Sequence, residues 1–157
     1  MRRKDREITD LNEILSIIKK CDVCRIALFD EAFPYIVPLN FGVEVDKEQI
    51  VLYFHSAGVG KKIDLIKANK KVAFEMDCEH RLVAGSISCH YTMEYESVCG
   101  NGEMTIVGDE EKVKALKCLM KQYVQADDFE FNDKSVRAVT VLKLTVQTVT
   151  GKRLNKK

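Results

Sequence analysis

The sequence predicts a mostly β fold, a β-barrel with helices at its periphery, in one domain that spans residues 1–157. A length of 157 residues and a hydrophobic content of 46% suit a single domain with its own core. Short segments of strand-like composition come in runs joined by short turns, and only a few helical segments interrupt them. Strict alternation of strands and helices would indicate a parallel sheet, so this arrangement favours roughly six antiparallel strands.

The first half of the chain predicts one helix and three extended segments. Residues 10–20 repeat apolar side chains at three- and four-residue spacing, and Asp10 with Glu13 resembles a capping box at the start of the helix. Pro38 has no N–H to donate to a neighbouring strand, so it marks a bulge or a sheet edge. A hairpin turn is expected at residues 46–48. The predicted strands are residues 23–29, 35–45 and 50–55.

The second half predicts three more strands and two helices. The predicted strands are residues 72–76 and 136–149, and residues 95–107 form either a strand pair or one long bent strand. Residues 78–91 contain a long connection. The predicted helices are residues 61–68 and 109–124. Gly100 and Gly102 indicate a bulge or a close backbone approach within the segment 95–107. One face of the second helix carries the apolar side chains that we expect to form its core contacts: Val113, Leu116, Met120 and Tyr123.

The charge balance excludes several classes of partner. The 25 Lys and Arg residues against 24 Asp and Glu residues give a formal net charge of +1. Basic residues cluster at 2–4 and 152–157, but a nucleic-acid role for them would need a third basic patch or interleaved aromatic residues, and neither is visible. No apolar run approaches the ~20 residues that a bilayer requires, and the charged start leads into no signal-peptide core. We therefore expect a soluble, cytoplasmic protein that binds neither nucleic acid nor a membrane.

The cysteines and histidines predict neither a redox centre nor a metal site. Cys21 and Cys24 form a C-x-x-C pair, but the pair follows a helix and enters a strand, the reverse of the polarity in redox motifs. A structural zinc site would need a second such pair or a spaced histidine pair. The three histidines share no spacing of that kind, so the thiols are expected to act as small core residues.

A candidate anion site follows the predicted strand 50–55. A short loop with two glycines leads into a helix that begins with Lys61 and Lys62, and Ser56 precedes the loop. The first N–H groups of a helix lack backbone partners and point along the positive end of the helix dipole, which suits a phosphate. The glycine spacing does not match a Walker A loop, and an ordinary helix start with solvated lysines is the alternative reading.

Four segments, in this order, resemble the pyridoxamine 5′-phosphate oxidase-like flavoproteins, and more narrowly their nitroimidazole resistance branch, the nitroimidazole reductases. The resemblance covers nearly the whole chain. The segments are Pro34-Tyr35-Ile36-Val37-Pro38-Leu39-Asn40-Phe41; Tyr53-Phe54-His55-Ser56-Ala57 with Gly60-Lys61-Lys62-Ile63; Tyr95-Glu96-Ser97-Val98 with Gly100-Asn101-Gly102; and Thr150-Gly151-Lys152-Arg153.

This resemblance implies a six-stranded antiparallel split β-barrel that forms a homodimer and binds FMN in clefts at the subunit interface. Lys61 and Lys62 would hold the FMN phosphate with help from Ser56. Ser97 and Val98 would reach the flavin from the second subunit. The remaining residues that the resemblance assigns to the flavin site are Val37, Pro38, Leu39 and Asn40 beside the ring, Phe54 and His55 on the strand before the loop, and Lys152 near the end of the chain.

The function implied by the resemblance is an FMN-dependent oxidoreductase that reduces small electron-poor substrates such as nitroimidazoles, with a reduced nicotinamide as a candidate electron donor. His55 is the candidate catalytic residue, because imidazole titrates near neutrality and can supply a proton; a packed strand histidine is the alternative. Two other hypotheses stay open: a flavin-binding module without turnover, and a split barrel that binds haem or a deazaflavin.

Pyridoxamine phosphate oxidase activity itself is not expected. Relatives often carry Trp shortly before the Gly-Lys pair of the last segment, at the position where this chain has Val149, two residues before Gly151. The oxidase also has a longer C-terminal region that grips its phosphorylated substrate, whereas this sequence ends six residues after Gly151.

Overall fold

The computed structural model describes residues 2–155 as one antiparallel sheet of eight strands with four α-helices. The strands are β1 (Glu7–Ile8), β2 (Cys24–Leu28), β3 (Tyr35–Leu39), β4 (Gly42–Asp46), β5 (Gln49–Ser56), β6 (Lys71–Val83), β7 (Thr92–Ile106) and β8 (Thr140–Leu154). The helices are α1 (Leu11–Lys20), α2 (Lys61–Ala68), α3 (Asp109–Tyr123) and α4 (Asp133–Ala138), and 3₁₀ turns lie at Lys4–Arg6 and Ser88–His90.

The strand order is β3-β2-β6-β7-β8-β5-β4, with β1 paired to the outer part of β8. This architecture is a split β-barrel, so the predicted fold class is confirmed. The expected count of six strands was too low by two. The predicted segment 35–45 divides into β3 and β4, and the two-residue β1 is too short to leave an alternating pattern in the sequence.

The barrel interior holds the main core, and two helices close it. Phe54, Phe74 and Met76 are almost wholly buried there, and α1 and α2 add Ile17 and Ile63 to the same cluster. The capping prediction for α1 is confirmed, since the Glu13 N–H donates to the Asp10 carboxylate at 2.9 Å. Such a cap satisfies one of the N–H groups that a helix start leaves unpaired.

Strand β3 lies at one edge of the sheet, as the position of Pro38 predicted. It pairs with β2 on one side, with Pro38 opposite Arg25, and within residues 2–155 no strand pairs with its other side. The hairpin turn at 46–48 is also confirmed. Lys47 and Glu48 both adopt positive φ, at 48° and 70°, which is the conformation of a tight hairpin turn.

Strand β5 is buried on both faces. Leu52 and Phe54 point into the barrel, while Val51 and Tyr53 form a second cluster under α3 together with Ala115. The expected core face of α3 was only partly right: Leu116 packs against this second cluster, whereas Val113 and Tyr123 are exposed. Helix α3 packs closely against β4, because Gly42 has no side chain to keep the helix backbone away. A Cβ at Gly42 would lie 2.5 Å from the backbone of Cys118. This close approach selects small residues rather than the largest apolar ones.

The long strands differ from their predicted limits. Segment 95–107 is part of a single strand, β7, whose register with β8 shifts between Asn101 and Gly102, so the expected irregularity at the glycines is confirmed. Strand β6 continues to Val83 instead of stopping at residue 76. Helix α4 was not predicted. The Asn132 side chain accepts from the Ser135 N–H at 2.8 Å and starts a short helix where the last strand was expected to begin.

Candidate functional site

The loop between β5 and α2 forms a helix start without a side-chain cap. Gly60, at the N-cap position, has φ 126°, a conformation that side chains beyond glycine rarely adopt. Its carbonyl accepts the N–H groups of Ile63 and Asp64 at 2.9 and 3.2 Å. Within residues 2–155 no backbone carbonyl accepts the N–H groups of Lys61 and Lys62, so the first turn of α2 presents donors to an anion.

The two lysines at this helix start are not equivalent. The Lys61 ammonium lies 2.6 Å from the Asp30 carboxylate and 5.4 Å from the centre of the Tyr35 ring. The hydrogen bond with Asp30 raises the pKa of Lys61 and lowers the pKa of Asp30. Lys62 is half-buried and forms no ion pair in the described part of the chain. An anion at the helix start would therefore compete with Asp30 for Lys61, whereas Lys62 is unpaired.

The hydroxyl groups around the loop also differ from expectation. Ser56 is buried, and its hydroxyl donates to the Ala57 carbonyl at 2.9 Å rather than to the open side of the loop. Thr140, at the start of β8, instead brings its hydroxyl beside the loop, 3.3 Å from where a Cβ of Gly58 would lie. Asp30, Tyr35 and Thr140 could not be assigned to this site from the sequence, because contacts between distant segments leave no local pattern.

The segment 37–40 runs along the open edge of the sheet. Val37 and Leu39 pack toward the main core, while Pro38 and Asn40 are exposed. The Asn40 amide donates to the Asp22 carbonyl at 3.2 Å. Since the outer side of this strand is unpaired, its backbone N–H and C=O groups are open to a ligand. Tyr35 at the start of the strand touches Lys61, so this edge adjoins the cationic helix start.

Two further residues assigned to the site lie on β5. Phe54 is completely buried in the barrel core, so only its backbone faces away from the interior. His55 points to the opposite face, is exposed, and pairs in register with Val141. Among residues 2–155 its ring has no hydrogen-bond or ion-pair partner, so the imidazole is available to solvent or a ligand.

The residues assigned to β7 and β8 form a separate group. Ser97 lies opposite Lys152 on the outer face of the sheet, whereas the Val98 side chain is fully buried in the core. The Lys152 ammonium lies 5.4 Å from the centre of the Tyr95 ring. Three strand steps separate β3 from β7, roughly 14 Å at ~4.8 Å per step. Within one chain, this group and the β3 edge therefore lie on different parts of the sheet.

The other reactive side chains are engaged or buried. Cys21 and Cys24 are both buried, and burial raises the pKa of each thiol, which disfavours the reactive thiolate. His80 lies 2.8 Å from the Asp77 carboxylate, and His90 lies 3.3 Å from the Ser86 hydroxyl. No group of three metal-ligating side chains occurs among the residues that the structure describes.

A polar cleft of about 510 Å³ lies at the end of the barrel beside α1. Glu96 is buried at its base, where it is paired with Lys20 and with Arg153 at 2.5 Å. Burial opposes ionisation, but hydrogen bonds from the two cations lower the pKa of Glu96 overall. The described helices include none long and apolar enough to cross a membrane.

The chain is similar to a known protein family and to solved structures. The model of the pyridoxamine 5′-phosphate oxidase family matches residues 10–153. A candidate 5-nitroimidazole antibiotic resistance protein from Bacteroides thetaiotaomicron has 37% identity and a TM-score of 0.81, with 94% of this chain and 86% of that chain covered. No curated protein matches the chain.

Two more distant solved structures share the fold. The FAD- and haem-binding protein from Mycobacterium smegmatis has 17% identity and a TM-score of 0.84, covering 96% of this chain and 74% of that one. An FAD-binding protein from Mesorhizobium loti has 24% identity and a TM-score of 0.67, covering 96% and 98%. At these identities the likeness concerns the arrangement of strands and helices.

Proposed function

The chain belongs to the pyridoxamine 5′-phosphate oxidase family, and from this premise we propose that it is an FMN-dependent oxidoreductase that reduces small electron-poor substrates such as nitroimidazoles. The observation that carries the proposal is the cationic, uncapped start of α2 beside the open edge of β3. The likeness at 37% identity to a candidate nitroimidazole resistance protein supports the substrate class.

The residues around this helix start fit a flavin phosphate. A phosphate monoester needs several N–H or O–H donors and positive charge. Lys61 and Lys62 supply the charge, and the first turn of α2 with the Thr140 hydroxyl supplies donors. Glycine at position 60 keeps the approach free of side-chain atoms. The donor set is therefore the one that a phosphate prefers, and within residues 2–155 no carboxylate other than Asp30 forms an ion pair with these lysines.

We assign the flavin ring to the edge of β3. The unpaired backbone groups of the segment 37–40 would bind the polar edge of the ring, and the exposed Pro38 offers a flat surface. Bound FMN supplies the two-electron chemistry, while the protein supplies binding, orientation and electrostatics. His55 is assigned the supply of a proton to the substrate, because its ring is exposed and has no partner within the described residues.

A homodimer is part of the proposal. The face of β2, β3, β6 and β7 that points away from the core keeps Phe29 and Ile36 more than 60% exposed, and Phe33 in the adjoining turn is 79% exposed. Apolar side chains that are exposed together indicate an interaction surface. Because Ser97 and Lys152 lie far from the β3 edge of their own chain, we assign them to the flavin bound mainly by the partner subunit.

The first experiment identifies the cofactor. The purified protein should show flavin absorption bands, and chromatography of the released cofactor separates FMN from FAD. A Soret band instead of flavin bands would support the haem alternative and contradict this proposal. Light scattering should give a dimer, and a monomer that retains full FMN affinity would contradict the shared site.

The second experiment tests turnover. Anaerobic reduction by a reduced nicotinamide, followed by mixing with a nitroimidazole in a stopped-flow instrument, should reoxidise the flavin. Reduced protein that stays reduced in the presence of the substrate would support the flavin-binding module without turnover. Replacing Lys61 and Lys62 together by Ala should weaken FMN binding by about 100-fold, since charge-assisted hydrogen bonds are the strong ones. Unchanged flavin occupancy would remove the phosphate assignment.

A further inference from the structure

A second cationic group lies on the outer face of the sheet, where the N-terminal segment meets β7 and β8. Strand β1 pairs with the end of β8 and places Glu7 opposite Lys152. Arg6, just before β1, and Lys152 both approach the phenol of Tyr95, and the Lys152 ammonium lies 5.4 Å from the centre of that ring. Three elements distant in sequence therefore bring two cations to one hydroxyl group.

Arg6 approaches the Tyr95 hydroxyl, but one of its guanidinium nitrogens stays without a partner among the described residues. This atom is Nε, which is buried and has no hydrogen-bond partner within residues 2–155. The nearest carboxylate oxygen, from Asp5, lies 3.8 Å away, beyond hydrogen-bond distance. Asp5 is instead bound by both ends of the Arg3 guanidinium, at 2.8 and 2.6 Å, which lowers the pKa of Asp5 to about 2. A buried donor without a partner is rare and costly in a folded protein, so it points to a ligand.

The charges around this group leave an excess of positive charge. The basic side chains are Arg3, Lys4, Arg6 and Lys152, and the carboxylates are Asp5 and Glu7. Lys4 lies 3.5 Å from Glu7, and Arg3 neutralises Asp5. Glu7 also lies opposite Lys152, so among these described residues four cations face two carboxylates. Burial would raise the pKa of Tyr95, but hydrogen bonding by Lys152 and Arg6 lowers it overall.

We propose that Arg6, Tyr95 and Lys152 form a binding site for a planar oxyanion, in which the Arg6 guanidinium and the Lys152 ammonium carry the charge and the Tyr95 hydroxyl donates a hydrogen bond. Guanidinium groups bind carboxylate-like anions with two parallel hydrogen bonds, which a point charge alone does not provide. Arg6 was not among the residues that the sequence assigned to any site.

This inference deepens the proposed function, and the identity of the ligand rests on that proposed function. Ser97 and Lys152 share this face and were assigned to the flavin of the partner subunit. Two sources could supply the planar anion there. One is the edge of the flavin ring that becomes negative on two-electron reduction, and the other is a carboxylate or nitro group of the substrate.

The first arm of the test uses the protein freed of flavin and therefore does not depend on the proposed function. Acetate and nitrate are titrated in low-chloride buffer, and the shifts of backbone amide NMR signals report binding. Replacing Arg6 or Lys152 by Gln should weaken acetate binding about tenfold, the effect of losing one charge-assisted hydrogen bond. Exposed Arg2, replaced by Gln, is the matched control and should bind acetate as the wild type does.

The conservative variants separate binding from folding. Arg6→Lys should keep most of the affinity that Arg6→Gln loses, because it keeps the charge. Tyr95→Phe should weaken acetate binding about threefold while the thermal melt stays close to that of the wild type. Equal acetate affinity in Arg6→Gln and Arg2→Gln, with both proteins folded, would overturn the proposal.

The second arm decides between the two sources with flavin-loaded protein. If the reduced flavin is the anion, Arg6→Gln should lower the two-electron midpoint potential by about 30 mV for a tenfold loss. If the site serves the substrate, the potential should stay unchanged while KM for a carboxylate-bearing nitro substrate rises about tenfold. If a variant binds acetate more weakly but keeps the midpoint potential and the KM of the wild type, neither the flavin nor the substrate uses this site. That result would overturn the assignment of the site to the flavin cleft.

Discussion

Replacing Asp30 by Asn should strengthen the binding of FMN. In the structure the Asp30 carboxylate lies 2.6 Å from the Lys61 ammonium, so a phosphate must displace or share that lysine. Asparagine keeps the size of the side chain but removes its charge. Lys61 is then free to bind the phosphate, and the negative charge that repels the phosphate is gone.

The expected size of the effect follows from the exposure of the pair. Lys61 is 56% exposed and Asp30 23% exposed, and ion pairs near water are weak. We therefore expect Asp30→Asn to tighten FMN binding by about two- to fivefold. Lys61→Ala should weaken it by about tenfold or more, because it removes a charge-assisted bond and leaves the Asp30 charge beside the site. The double variant Lys61→Ala with Asp30→Asn should recover part of that loss.

The assay is the quenching of flavin fluorescence on titration into flavin-free protein, with riboflavin as the matched ligand that lacks the phosphate. The effects of all three variants on affinity should appear with FMN and be absent with riboflavin. Weaker FMN binding in Asp30→Asn would show that Asp30 positions Lys61 rather than competing for it. Equal effects on FMN and riboflavin would place these residues away from the phosphate.

Three further predictions concern other parts of the chain. His55→Gln should keep FMN yet slow the reoxidation of the reduced flavin by a nitro substrate more than tenfold, with a flatter pH profile of the rate between pH 6 and 8. Normal turnover per bound flavin in this variant would show that His55 has only a packing role. Gly42→Ala should lower the free energy of unfolding by about 1–3 kcal/mol in a denaturant titration, because its Cβ would meet the Cys118 backbone at 2.5 Å. The pKa of Glu96 is lowered in the folded state. The stability that Glu96 contributes is therefore present above the ordinary pKa of about 4.3 and is lost as the pH falls through the pKa of the folded state. Glu96→Gln should therefore lower the melting temperature at pH 7, and the difference from the wild type should shrink below about pH 4.

Local patterns explain which elements of the fold could be predicted. Helix α1 carries its own periodicity and cap, the turn at 46–48 has the composition of a hairpin, and Pro38 restricts its strand to an edge. These features depend on residues a few positions apart. The face of α3 could not be read in the same way, because it depends on the glycine of a distant strand that admits the helix backbone.

The residues of the candidate site likewise divide into those that the sequence predicts and those that depend on the tertiary fold. The uncapped helix start at Lys61 is visible in the sequence, since it needs only the order of strand, glycine loop and lysines. The Asp30 carboxylate that pairs with Lys61 precedes it by 31 positions, and nothing in the residues around Asp30 indicates the contact. Arg6 and Tyr95 likewise meet only because β1 returns to pair with β8 at the far end of the chain. Pairings of this kind depend on the tertiary fold.

The burial of β5 on both faces has a consequence for amide exchange. Its backbone hydrogen bonds run to β4 and β8, with the barrel core on one side and α3 on the other. Amides of such a strand open only when the whole domain unfolds, so those of Leu52, Tyr53 and Phe54 should be among the last to take up deuterium. His55 follows this segment directly. Its backbone is therefore held in the most protected part of the molecule while its ring faces solvent.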